Sequence, residues 1–362
     1  MSVVNDPSPL APRPSPPRIV PKRILVIRLD RIGDVVLSTP VLQQLRETYP
    51  QAFIGMMVRP ACRDLVDGNP HVNEVLVYDK HGPHHSLLTT VRFARGLLRR
   101  FRFDTAVVLH PTNRSHWIPW LAGIPRRIGY NRKCAWLLTH RVPHRKHEGT
   151  KHEAEYALDM LRVLGIEPAT PTPMVPIHPA ADHRVRQLLR QQGVDDSAIL
   201  VAMHPFASDS SRCWPAERFA QLADRLTHEH RAHIVVVAGP EDAPQARTVV
   251  RLMRQRAVNF AGALSIGELA ALLARCRLLV SNDSGPVHIA AAVGTPVVAI
   301  FGRNQPGINA ARWRPLGSGH VVLDKPAGPR SNYIADWSVD DVYQAATRLL
   351  QFPSGGIQAS LR

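Results

Sequence analysis

The sequence predicts an α/β chain built as two doubly wound, Rossmann-like domains facing across a cleft. Three observations carry that expectation. Short β-rich runs alternate with helical runs from residue 23 onward; a proline-rich stretch (Pro168, Pro171, Pro173, Pro176, Pro179) breaks the alternation; and the same alternation then restarts. Open sheets of this kind bind ligands beyond the carboxyl ends of their strands, so the cleft between the domains is the expected site.

Residues 1–22 carry seven prolines and read as a flexible tail. The first domain is expected over 23–168, with strands at 24–29, 53–58, 75–78 and 105–109, and helices at 34–47, 86–101 and near 151–164. Residues 169–180 are the expected linker. The second domain is expected over 181–336, with strands at 198–203, 233–238, 278–280 and 296–301. Helices are expected at 215–228, from 241, at 265–276, and from Pro286, whose missing N–H costs nothing at a helix start. A last helical run, 339–350 within 337–352, is expected to pack back on the first domain, ahead of a tail at 353–362.

The composition narrows the class. The 362 residues contain no run approaching the roughly 18 apolar residues of a spanning helix, and residues 1–23 have no apolar stretch of a secretory signal. Cys62, Cys134, Cys213 and Cys276 lie far apart with no Cys-x-x-Cys pair, which fits free thiols and argues against a zinc ribbon. His144, His147 and His152 have no carboxylate or cysteine arranged with them, and read as solvated loop residues rather than metal ligands.

The net charge of +16 is unevenly spread: between Arg92 and Lys151 there are fourteen Lys/Arg and two acids, Asp104 and Glu148. A block of that sign points to a polyanionic partner: nucleic acid, an anionic membrane face, or a phosphorylated substrate. Aromatic residues make up only 6% and do not interleave with the basic ones, which disfavours nucleic acid.

Three segments could carry chemistry. The first strand runs into Arg28-Leu29-Asp30-Arg31-Ile32-Gly33-Asp34, where Gly33 permits a tight turn. Asp34 there is either a helix N-cap or a carboxylate at the cleft edge that can take a proton from a hydroxyl. Next, His204-Pro205-Phe206-Ala207-Ser208-Asp209-Ser210-Ser211-Arg212-Cys213-Trp214-Pro215 follows a strand. It is either a solvated loop or a phosphate site, with Ser208 and Ser211 as donors and Arg212 as a fork. Glu241 ends the following strand, where an acid can bind ribose hydroxyls. Last, Ser281-Asn282-Asp283-Ser284-Gly285-Pro286-Val287-His288 joins an apolar strand to a helix. That corner is either an ordinary crossover capped by Asp283 or Ser284, or a helix start whose N–H groups meet a diphosphate while Asp283 accepts from sugar hydroxyls. Neither Gly-x-Gly-x-x-Gly nor a Walker A sequence is present, which removes the common dehydrogenases and triphosphatases.

Taken together, G-D-V after the first strand, the H-P…R-C-W-P loop and N-D-S-G-P-V-H resemble glycosyltransferase family 9. These are the ADP-heptose:lipopolysaccharide heptosyltransferases, and the N-D-S-G corner is most similar to the heptosyltransferase II branch. The resemblance runs from about residue 23 to 350. It implies the two-domain GT-B fold, an inverting mechanism and no required cofactor or metal; there is no Asp-x-Asp of the metal-dependent sugar-nucleotide transferases. Asp34 would be the general base. Ser208, Ser211, Arg212, Glu241, Asp283, Ser284, Gly285 and His288 would bind an ADP-sugar donor, and Arg31, Gly33 and Arg114 would line the acceptor side. Arg212 stands where members usually carry lysine. The implied acceptor is an anionic lipopolysaccharide precursor, with the chain cytoplasmic and peripheral to the inner leaflet. A GT-B transferase with another donor or acceptor, an inactive relative acting as a scaffold, and a nucleic-acid-binding protein are the competing expectations.

Overall fold

The computed structural model describes residues 20–326 and 332–351. The tail expected over 1–22 falls outside them except for its last three residues, as does all of that expected over 353–362.

The first domain holds β1 (Arg23–Ile27), α1 (Ile32–Val36), α2 (Thr39–Thr48), β2 (Phe53–Val58), β3 (Glu74–Val77), α3 (Leu87–Phe93), α4 (Arg99–Phe101), β4 (Thr105–Val108), α5 (Asn113–Leu121), β5 (Arg126–Tyr130), β6 (His140–Val142) and α6 (Glu153–Leu158). The second holds α7 (Pro179–Gln191), β7 (Leu200–His204), α8 (Ala216–His230), β8 (His233–Val236), α9 (Ala243–Leu252), β9 (Ala257–Asn259), α10 (Ile266–Arg275), β10 (Leu278–Asn282), α11 (Gly285–Ala292), β11 (Val297–Ile300), α12 (Ala310–Trp313), β12 (His320–Leu323) and α13 (Val339–Gln351).

Each domain is one six-stranded parallel sheet, ordered β3-β2-β1-β4-β5-β6 and β9-β8-β7-β10-β11-β12. Both are the doubly wound Rossmann order, reversing between β1 and β4 and between β7 and β10. The central strands are buried on both faces, which explains their unbroken apolar runs.

The two reversal points come together because α1 packs on α11. One continuous apolar core, from Val35 and Val36 to Val287, Ile289 and Ala290, joins the domains. The contact is close: a Cβ at Gly33 would lie 2.7 Å from the His288 ring, and one at Gly285 would lie 3.4 Å from Ile32. Gly33→Ala is therefore expected to destabilise the protein by ~1–3 kcal/mol through overpacking, read as a lower Tm by calorimetry. An unchanged Tm would mean that the ring yields freely.

Several elements depart from the sequence expectation. The helix expected at 34–47 is split, because Pro40 has no N–H to donate back to Val36; the Thr39 hydroxyl bonds that carbonyl instead, at 2.7 Å. The basic run 86–101 is helical but passes through a π-turn at Ala94–Leu98 that contains Gly96. The linker expected at 169–180 yields its last two residues to α7, with Pro179 in that helix's first turn.

The terminal helix is a correction. α13 packs on α8 and on β10, β11 and β12 of the second domain, not back on the first. Its apolar face (Val342, Ala345, Ala346, Leu349) completes the second domain's outer core with Phe219 and Leu222 of α8.

Candidate active site

The carboxyl end of β1 carries Arg28, which is almost fully buried and holds three acids on one nitrogen, Nη2. Asp34 Oδ1 accepts from it in a short bond, Glu153 Oε1 lies at 3.0 Å, and Asp30 Oδ2 at 3.7 Å. The N-cap alternative for Asp34 fails: Arg31 occupies the N-cap position of α1, and Asp34 sits in its first turn. Burial pushes the Asp34 carboxyl above the usual range, while the Arg28 charge pulls it down.

Asp30, beside it, is held by His110 at the end of β4 and stays more open. Burial raises it, but the His110 hydrogen bond and Arg28 outweigh that and bring it down to about 2. Neither Asp30 nor His110 was singled out from sequence. They meet only because β1 and β4 are neighbours, 80 residues apart in the chain.

Across the contact, the loop after β7 and the corner after β10 form one unit. Asn282 Oδ1 accepts from the Trp214 backbone N–H at 2.9 Å and ties them together. Arg212 donates from Nη1 to Asp283 Oδ2 at 3.1 Å and from Nη2 to Ser208 Oγ. Arg31 of the first domain donates to that same Ser208 Oγ at 3.3 Å, so the hydroxyl joins the two domains. Burial pushes Asp283 up to about 6, although Arg212 draws it down. Its side chain keeps 15% exposure.

The cap alternative fails here too. Ser284 occupies the N-cap position of α11 but makes no cap bond, its hydroxyl turning instead to His204 Nδ1 and Ser281 Oγ, both at 3.0 Å. The helix's first N–H groups are left without a side-chain cap. Ser211 is used within its own loop, donating to Asp209 Oδ1 at 2.6 Å and accepting from Arg303. Arg303 follows β11 and was missed by sequence reasoning. Glu241 is exposed in a 3-10 turn at the end of β8.

Three expected placements change. His288 is buried against Gly33 rather than turned to a phosphate, its Nδ1 has no partner, and burial lowers it to about 3. Arg114 is spent on the 78–85 segment, donating to the Tyr78 hydroxyl and to the His84 and His85 carbonyls at 3.3, 3.1 and 2.6 Å. His152 is not solvated: it is buried as the N-cap of α6, with Nε2 at 2.9 Å from the Arg314 carbonyl. The basic block is likewise not all surface, since Lys146 is buried and Arg127 bonds the Ile124 and Leu137 carbonyls.

Among the described residues no group of three or more His, Cys, Asp or Glu is arranged to hold a metal ion. Nor is any described helix long and apolar enough to cross a membrane.

Residues 91–330 match the model of glycosyltransferase family 9 (heptosyltransferase). The chain belongs to this family. It is a glycosyltransferase, and the sequence resemblance is confirmed. The lipopolysaccharide heptosyltransferase 2 of Escherichia coli K12 is 28% identical over 294 residues, covering 78% of this chain and 84% of that protein. A lipopolysaccharide heptosyltransferase 3 of Escherichia coli is 26% identical over 306 residues, covering 80% and 85%. The crystal structure of the family 9 glycosyl transferase from Veillonella parvula superposes with a TM-score of 0.85 at 27% identity, over 91% of this chain and 97% of that one. The two-domain GT-B fold is thereby confirmed as well.

Proposed function

We propose that this transferase moves heptose from ADP-L-glycero-D-manno-heptose to the inner core of a lipopolysaccharide precursor, with inversion and without a metal. The observation that carries the reading is the facing of two chemistries across the domain contact. A carboxylate, Asp34, lies on one side; the Arg212–Asp283 pair and the uncapped start of α11 lie on the other. The heptosyltransferase 2 and 3 relatives supply the sugar and acceptor class.

In this reading ADP lies on the second domain. Its ribose meets Glu241, and its diphosphate meets Arg212, the Ser208 and Ser211 loop, and the Ser284–Gly285 turn. Two phosphates leaving as ADP gain negative charge, which a fixed guanidinium and backbone N–H groups stabilise without reorganising. Asp34 takes the proton of an acceptor hydroxyl. The oxygen then bonds to the anomeric carbon as the bond from that carbon to the β-phosphate oxygen breaks, through an oxocarbenium-like transition state. ADP departs from the opposite face, so the configuration inverts.

Asp283 would accept from heptose hydroxyls, and an ionised carboxylate accepts better than a protonated one. With a carboxyl raised to about 6, the donor KM is expected to climb as pH falls through that value while ADP affinity stays flat. An Asp283→Asn enzyme should lose this pH dependence, and a wild-type KM level between pH 5 and 7 would contradict the sugar contact. The stability sign is the opposite. A carboxyl raised above its ordinary 3.8 favours the fold most below that value, and this contribution is lost as pH rises through about 6.

The basic first domain suits an anionic acceptor at the inner leaflet of the membrane. Leu87 and Leu88, 57% and 78% exposed, precede Arg92, Arg95, Arg99 and Arg100 on one helical run and support peripheral contact there. Calorimetry against ADP, UDP, GDP, CDP and NAD tests the donor half. Preference for ADP upholds it, preference for UDP or GDP replaces the donor, and binding of none removes the donor site.

A further inference from the structure

Glu153 belongs to none of the motifs above, yet it is a buried carboxylate paired with three cations, Arg28, Lys146 and Arg312. It opens α6, and its carboxylate is 2% exposed. One oxygen, Oε1, accepts from Arg28 Nη2 at 3.0 Å and from Lys146 Nζ in a shorter bond. The other, Oε2, accepts from Arg312 Nε and Nη2 at 3.1 and 2.8 Å. Arg28 and Lys146 belong to the first domain; Arg312 sits on α12 of the second.

The cluster balances, with Arg28, Lys146 and Arg312 facing Glu153, Asp34 and Asp30. Buried charges are costly unless they are paired this way. Removing the second domain's cation would leave the first domain's half unbalanced.

The contact that delivers Arg312 is extensive. Arg312 Nη1 donates to the Lys146 carbonyl at 3.0 Å and to the Gly307 carbonyl at 3.1 Å. Gly307 sits so close to Gly149 that a Cβ on the latter would lie 2.3 Å from its nitrogen. His152 bonds the Arg314 carbonyl nearby. The strap around residues 307–314 thus closes over the segment 146–153 and completes the Glu153 site.

We propose that Glu153 is the positioning residue through which contact between the two domains aims Asp34: Arg312 fixes Glu153, Glu153 fixes Arg28, and Arg28 fixes Asp34. The chain of contacts converges on a single atom. Arg28 Nη2 is shared by Glu153 Oε1 and Asp34 Oδ1, while Nη1 is tied to the Leu109 carbonyl at 3.2 Å. With Arg312 absent, one whole Glu153 oxygen loses its partners, and Arg28 is drawn toward Glu153 and away from Asp34. This rests on the reading of Asp34 as the base. The acid would then be correctly aimed only while the domains are in contact, which is when donor and acceptor are held together.

The test is steady-state kinetics with ADP-heptose and calorimetry with ADP on Arg312→Gln, Arg312→Lys, Glu153→Gln and Asp34→Asn enzymes, each checked for folding by thermal unfolding. Arg312 is partly exposed, so its variants stay informative even if Glu153→Gln does not fold. Arg312→Gln is expected to lower kcat by ~10–10²-fold, as a misplaced catalytic group does, with donor KM and ADP affinity unchanged. Arg312→Lys, which restores a cation, is expected to recover most of that loss. Wild-type kcat in folded Arg312→Gln would overturn the proposal, as would parallel losses of kcat and ADP affinity that lysine does not rescue. Asp34→Asn separates the two claims. If it is as active as wild type, the base assignment fails and takes the relay with it; if it is inactive while Arg312→Gln is normal, the relay alone fails.

Discussion

An Asp34→Asn enzyme is expected to lose ~10²–10⁴-fold in kcat, the usual worth of a positioned proton acceptor, while binding ADP as the wild type does. The asparagine keeps the shape of the side chain and its carbonyl oxygen, so Arg28 Nη2 retains an acceptor there as well as Glu153. What it cannot do is take a proton. Burial raises the native carboxyl and so makes it a stronger base than an exposed aspartate, while the Arg28 charge opposes that shift. ADP affinity is the control, because the residues assigned to the nucleotide all sit on the second domain, whereas Asp34 belongs to α1. Near-wild-type turnover would reduce Asp34 to a counter-charge for Arg28, and attention would pass to the neighbouring Asp30–His110 pair.

The split between what the sequence disclosed and what it hid follows from where each signal lies along the chain. Central parallel strands such as β2 and β4 announce themselves because burial on both faces demands continuous apolar residues. β5 begins with Arg126-Arg127, and β6, β9 and β12 are three- or four-residue strands whose side chains, Val258 of β9 apart, are exposed or half-buried, so their composition resembles loop. At the site, Asp34, Arg212 and Asp283 were legible because each stands within three residues of a glycine, a proline or a strand end that gives it a local reason to be there. Glu153, Arg312 and Arg303 had none. Glu153 reads as an unremarkable helix-start acid until the fold brings Arg28 from 125 residues earlier and Arg312 from 159 residues later. His288, in a suggestive motif, and Arg114, expected on the acceptor side, show the converse: both are taken up by contacts that only the tertiary structure supplies.

Arg212, which the sequence resemblance sets where family members usually carry lysine, gives the second large effect. Arg212→Ala is expected to lower kcat by ~10²–10³-fold, comparable to removing one fixed donor from a developing anion, and to weaken ADP binding as well. The guanidinium bonds two partners at once, Asp283 through Nη1 and Ser208 through Nη2, and through Ser208 it touches Arg31 of the other domain. A lysine carries the same charge on a single nitrogen and cannot hold that fork in one plane. Arg212→Lys should therefore keep much of the ADP affinity, which needs charge, and lose more of kcat, which needs the charge held still. Alanine also leaves Asp283 without its cation, so burial would raise that carboxyl further and the donor KM would begin to climb at a higher pH than in the wild type. A kinetic and calorimetric comparison of wild type, Arg212→Lys and Arg212→Ala over pH 5–8 reads all of this together. If lysine matched arginine in both kcat and ADP affinity, the fork would be incidental and the charge alone would serve the leaving diphosphate.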